Sequence, residues 1–156
     1  MKSVITQLTV TEHVTLITLD KIPVDSVQVA KIFEALGKSK VNIDMISQTP
    51  PYKGSISLSF TLSDDDLFGA IQTLKSFKTE IPTLRIDINS NNIKLSLFGE
   101  EMKSTPGAAA KTMNLLAEAG VDIKLITTSE VDISYLIYHT DRDKAVEQIK
   151  NYYQIQ

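Results

Sequence analysis

Shifting the chain against itself by eighty positions lays AKIFEALGKSKVNIDMISQT over AKTMNLLAEAGVDIKLITTS without a gap. Ala30 falls on Ala110, Lys31 on Lys111, Leu36 on Leu116, Val41 on Val121, Ile43 on Ile123 and Ile46 on Ile126. Apolar character is kept at Phe33/Met113 and Met45/Leu125. A repeat of this period constrains the fold more than any other feature, because both copies must share one order of elements and so decide the architecture together. With 156 residues in all, the chain holds two small domains near the lower end of the usual size range.

The periodicities inside the repeat supply the elements. Val29, Ile32, Phe33 and Leu36 recur at i, i+3, i+4 and i+7, the apolar stripe of a helix, and Ala109, Thr112, Met113 and Leu116 repeat it more weakly. The second of these helices has Thr105 as expected N-cap, Pro106 at its first position and Gly120 as the residue that closes it. VNIDMIS and VDIKLIT follow as short, β-branched strands. SISLSFTL alternates strictly, with Ile56, Leu58, Phe60 and Leu62 on one face, and Val131, Ile133, Tyr135 and Ile137 echo it. Further helical stripes follow at Leu67, Ala70, Ile71 and Leu74, and at Ala145, Ile149 and Tyr152.

The first copy therefore reads β-α-β-β-α-β, with strands near 15–20, 41–48, 54–62 and 83–88 and helices near 26–38 and 64–77. That order is the ferredoxin-like arrangement, an α+β fold with helices on one face of a four-stranded antiparallel sheet. The second copy stops short. After its helix near 141–152 only Tyr153 to Gln156 remain, while SVITQLTV is a surplus strand ahead of the first copy. Since an unpaired sheet edge is a liability, residues 3–10 are expected to complete the second sheet. The expected domains are 12–89, and a discontinuous one of 2–11 plus 90–156.

Composition removes several function classes. Sixteen basic and nineteen acidic residues give a net charge of −3, without the concentrated Lys and Arg that phosphate neutralisation needs, so no nucleic-acid partner is expected. The strand positions that would stack bases in an RNA-binding relative of this fold are Ser57, Ser59, Thr61, Asp132 and Ser134. The absence of cysteine excludes disulfides and thiolate chemistry. His13 and His139 have no second ligand at metal spacing, and no phosphate-binding glycine loop or nucleophile elbow occurs. No apolar run approaches the ~18 residues of a membrane span. The expectation is a soluble cytoplasmic protein with no catalytic residue, no metal and no cofactor.

LSLFGEEMKSTPGAAAKTMNLLAEAGVDIKLITTSEVDIS closely resembles the second ACT domain of aspartokinases, through the M-K-S-x-P-G turn and the run I-T-T-S-E-V-x-I-S. VNIDMISQT and the strand after it resemble the first ACT domain of the same enzymes, and chains of this size resemble their small regulatory subunit. The resemblance implies paired ACT units that bind an effector, lysine or threonine, at the interface between units, in the control of amino-acid biosynthesis. It also implies a separate kinase catalytic subunit as a partner, since the kinase's nucleotide motif and catalytic domain are not in this sequence. Units with strands this apolar should associate, and a two-fold homodimer is the commonest solution. A ligand-free assembly module is the alternative reading.

A zwitterionic amino acid needs backbone N–H groups for its carboxylate and acceptors for its ammonium. Thr105, Pro106, Gly107 and Ala108 form a turn at a helix N-terminus, where unpaired N–H groups and the dipole favour an anion. A capped helix and nothing more is the plainer reading of the same residues. By resemblance, Gln48 contacts effector, Asp122 stands at a usual asparagine, Ile123 offers its backbone, Ser129 its hydroxyl and Glu130 its carboxylate. The first copy departs from the family turn: Val24 replaces an ammonium-binding aspartate, for which the adjacent Asp25 is the substitute. Lys124 stands where an acidic residue is usual, and a solvated or cross-domain ion pair involving Asp44 or Lys124, worth ~0–1 kcal/mol, is the plain reading there.

Overall fold

The computed structural model describes residues 3–156. Its elements are β1 (Gln7–Pro23), α1 (Ser26–Lys38), β2 (Ile46–Gln48), β3 (Ser55–Ser63), α2 (Leu67–Ser76), β4 (Arg85–Phe98), α3 (Ala108–Glu118), β5 (Ile123–Thr128), β6 (Asp132–Tyr138) and α4 (Arg142–Tyr153). Two compact units result: a first of His13–Ser90, and a second that joins the described residues up to Glu12 to Asn91–Gln156. Lys2, at the start of the expected second domain, lies outside the described residues.

In the first unit the sheet order is β2-β3-β1-β4. β3 pairs antiparallel with β1 (Leu19 opposite Leu58) and with β2 (Ile46 opposite Phe60). The alternation read from SISLSFTL holds from Ser55 to Phe60 and breaks at Thr61, which is fully buried. Ile56, Leu58, Phe60 and Leu62 are buried with Ile32 and Leu36 of α1 and Ala70 and Leu74 of α2. The opposite face is polar, where Thr18 meets Ser59 at 3.3 Å and the Ser57 hydroxyl donates to Asp20. The strand expected over 41–48 is laddered only at Ile46–Gln48. Thr61 explains the loss: its buried Oγ1 accepts the Met45 N–H at 2.9 Å, while its backbone N–H and C=O take the Met45 C=O and the Asp44 N–H. The helix expected to start at residue 64 begins instead as a 3-10 turn over Asp64–Asp66, and α2 proper starts at Leu67.

The second unit repeats the arrangement with order β1-β4-β6-β5. β6 pairs antiparallel with β4 (Leu95 opposite Tyr135) and with β5 (Ile126 opposite Tyr135). Its outer strand on the β4 side comes from the N-terminal segment, where the Thr6 N–H donates to the Phe98 carbonyl at 2.8 Å. Ile5 is fully buried among Leu95, Leu97, Ile133 and Tyr135, a burial worth about 1.5–3 kcal/mol. A glycine makes the approach possible. A Cβ on Gly99 would stand 1.7 Å from the Val4 carbonyl oxygen, so no other residue fits.

Both β-α-β halves use the same stop. After α1, the Lys40 N–H donates to Gly37 C=O and the Val41 N–H to Leu36 C=O, both at 3.0 Å. After α3, the Gly120 N–H donates to Ala117 and the Val121 N–H to Leu116, both at 2.9 Å. Each is a Schellman closure through a left-handed residue, Lys40 at φ 61 and Gly120 at φ 70.

Candidate functional site

The start of α3 differs from the sequence expectation. Thr105 is not its N-cap: it ends a 3-10 turn over Glu100–Ser104, with its N–H bonded to Met102 C=O at 3.2 Å. Gly107 takes the cap position at φ 88, a left-handed conformation open to glycine, and offers no side chain. The first intrahelical bond runs from the Lys111 N–H to Gly107 C=O at 2.9 Å. The Ala108, Ala109 and Ala110 amides precede that bond and have no side-chain cap.

Beside these amides lies a cavity of about 580 Å³ lined by Met102, Lys103, Thr105, Gly107, Ala108, Ala109, Thr128, Ser129, Glu130 and Ile133. The loop between β5 and β6 is held by the Ser129 N–H on Asp132 C=O at 2.8 Å and the Val131 N–H on Ser129 Oγ at 3.3 Å. Thr105, Gly107, Ala108, Ser129 and Glu130 are thus brought together. The cavity offers amide donors at the positive end of a helix dipole and, in Glu130, an anionic acceptor. Pro106 lines a neighbouring space of about 450 Å³ with Lys111, Tyr152 and Tyr153. There the Lys111 amine sits 4.3 Å from the Tyr152 ring centre, and burial pushes the Tyr153 hydroxyl up to about 12.

The first unit has a smaller cavity at the corresponding place, about 180 Å³, lined by Val24, Asp25, Ser26, Val29, Gln48 and Ile56. Asp25 and Gln48 therefore share one site. Asp25 is the N-cap of α1, its Oδ1 accepting the Val27 N–H at 2.9 Å and the Gln28 N–H at 3.4 Å.

Asp122 and Ile123 stand apart from both cavities. Ile123 opens β5, about 16 Å from Thr128 at the usual strand rise, and the exposed Asp122 precedes it. Lys124, at the irregularity in the β5–β6 pairing, lies 2.5 Å from Asn92 Oδ1 and 3.9 Å from the Tyr138 ring centre. Burial lowers its amine's pKa. Sequence reasoning passed over Lys103 and Thr128, although both lie inside the quoted motifs. It read Tyr152 as helix packing, yet that ring is 52% exposed. Among the described residues no group of three acidic, histidine or cysteine side chains could hold a metal, and no helix is long and apolar enough to cross a membrane.

An ACT domain family model matches residues 28–76 and 95–153. The aspartokinase of Mycolicibacterium smegmatis is 39% identical over 122 residues, 77% of this chain; the chain spans 29% of that kinase's length. The structure is similar to the ligand-free regulatory subunit of aspartate kinase from Thermus thermophilus, with a TM-score of 0.87, 28% identity, and coverage of 95% of this chain and 97% of that one. A structure of aspartokinase alpha and beta subunits matches with a TM-score of 0.87 and 26% identity, over 97% of this chain and 99% of that one.

Proposed function

The chain belongs to the ACT-domain family, and on that premise we propose that it is a non-catalytic regulatory module of aspartate kinase that senses an amino acid through its second unit. The observation that carries the reading is the cavity at the start of α3, where uncapped helix amides and the Glu130 carboxylate line one space. An amino acid has both charges on one carbon. Its carboxylate is taken by the Ala108–Ala110 amides, with the Thr105 hydroxyl beside them, and its ammonium by Glu130 and the Ser129 hydroxyl. Lysine and threonine are the first candidates, through the likeness to aspartokinases.

β5 and β2 are edge strands of their own sheets. Ile123 on β5 and Asp122 just before it join an effector site when an ACT unit of a second copy pairs along that edge, and Gln48 on β2 does so in the same way. A two-fold homodimer is the simplest assembly of that kind, and a kinase catalytic subunit is the further partner. The effector then regulates by preferring one arrangement of paired units, since equal affinity for two states shifts neither.

A thermal-shift screen of the full chain against the twenty amino acids tests the reading, because a ligand that binds the native state raises its midpoint by mass action. A rise with one or a few amino acids, reduced by Glu130→Gln, supports it. No shift with any of them leaves the chain as a ligand-free assembly module.

A further inference from the structure

The two copies of the repeat begin their first helices differently, and the difference bears on how many effectors the chain takes. We infer that the first unit carries its own anion: the Asp25 carboxylate occupies the amide site that the second unit leaves open, so the chain binds one effector and not two. The inference rests on the effector-site reading above.

Positions eighty apart make the comparison direct. Where the second unit has Thr105, Pro106 and Gly107, the first has Asp25, Ser26 and Val27. Pro106 and Gly107 lie outside α3, but Ser26 and Val27 are already the first two residues of α1. Asp25 makes that extension possible, with its side chain accepting the Val27 and Gln28 N–H groups. The Val29 N–H is satisfied by Asp25 C=O at 3.1 Å. Of the amides at the start of α1, that leaves only Ser26 without a bond from Asp25, whereas no side chain caps the Ala108, Ala109 or Ala110 amides of α3.

Space and charge agree with the amide count. The cavity beside Asp25 has about 180 Å³, under a third of the 580 Å³ beside Gly107. A ligand carboxylate arriving there meets a fixed carboxylate with its donors already engaged, so repulsion and competition act together. Asp25 is a specificity-determining residue: it silences one of two duplicated sites.

Calorimetric stoichiometry of the full chain with L-lysine and with L-threonine tests this, using Asp25→Gly and Asp25→Asn. Glycine is tolerated at an N-cap with little loss of stability, and asparagine caps as well as aspartate. The expected result is one ligand per chain for the wild type and Asp25→Asn, and a second binding event for Asp25→Gly alone. Two ligands per wild-type chain, or one per Asp25→Gly chain, overturn the inference and leave the effector-site reading standing. No binding by any of the three overturns both. A second event in Asp25→Asn also overturns it, because charge and not occupancy of the amides would then be the barrier.

Discussion

The Tyr135 hydroxyl lies 2.5 Å from Thr112 Oγ1 in the core of the second unit, with both residues at 0% exposure. Thr112 donates to Ala109 C=O at 3.0 Å, so the tyrosine donates to the threonine. The corresponding positions of the first unit are Phe60 and Ile32, both buried and apolar. One packing problem has thus been solved twice, by a satisfied polar pair and by an apolar pair. Each solution is self-consistent, and mixing them leaves a buried hydroxyl without a partner.

A double-mutant cycle measures this coupling. Tyr135→Phe should cost about 1 kcal/mol, the net worth of a hydrogen bond, and Thr112→Val about 1–3 kcal/mol, because it strands the phenol. The double variant should cost less than the sum. Urea unfolding followed by tyrosine emission reports on the second unit, which holds four of the chain's five tyrosines. Additive effects would show that the hydroxyls do not interact.

Gly99 decides whether the N-terminal strand can dock. Gly99→Ala places a methyl on the Val4 carbonyl and should displace the segment that buries Ile5, a loss of about 2–3 kcal/mol. Deleting residues 1–10 should cost a similar amount, and adding Gly99→Ala to the truncated chain should cost almost nothing more. A full additional loss in the truncated background would place the glycine's role elsewhere.

The two Schellman closures give opposite predictions at positions related by the repeat. Lys40 holds a left-handed conformation that Gly120 holds at no steric cost. Lys40→Gly should therefore stabilise the first unit by about 0.5–1 kcal/mol, and Gly120→Ala should destabilise the second by about 1 kcal/mol. Chemical denaturation of both variants checks the signs, and a destabilising Lys40→Gly contradicts the account.

Burial raises the Tyr135 hydroxyl's pKa, and burial with the adjacent Tyr152 and Tyr135 raises that of Tyr153 to about 12. Both phenols ionise at lower pH in the unfolded chain, near ~10. Their contribution to stability is complete below pH ~10 and is lost as pH climbs from there through the folded values. Urea midpoints measured over that range should fall less steeply for Tyr153→Phe than for the wild type. Equal slopes would remove Tyr153 as a cause.

The repeat made most of the fold legible, because burial repeats where side-chain periodicity repeats: Ile32 and Leu36, Thr112 and Leu116 are all buried. The count of elements points to the N-terminal strand, and the Thr6 N–H bond to the Phe98 carbonyl ties that segment to the end of β4. The cap of α3 was misread. Thr105 and Pro106 favour a cap and first turn by local preference, but Gly107 can turn left-handed and moves the start two residues on. Thr61 is a similar case: a buried hydroxyl that takes over part of a strand's ladder leaves no periodic signature. The I-T-T-S-E run pointed to Ser129 and Glu130. That the α3 amides lie beside them depends on how the helix packs, which spacing alone does not encode.

The central claim is that the open amides of α3 hold an effector carboxylate. Titrating the isotopically labelled chain with L-lysine and L-threonine, and following backbone amides by proton–nitrogen correlation spectra, tests it most directly. The account predicts the largest shifts at Ala108, Ala109 and Ala110, with Ser129 and Glu130 moving in step and Val27 and Gln28 unmoved. Saturable shifts that bypass Ala108–Ala110, or that centre on Val27 and Gln28, would contradict it.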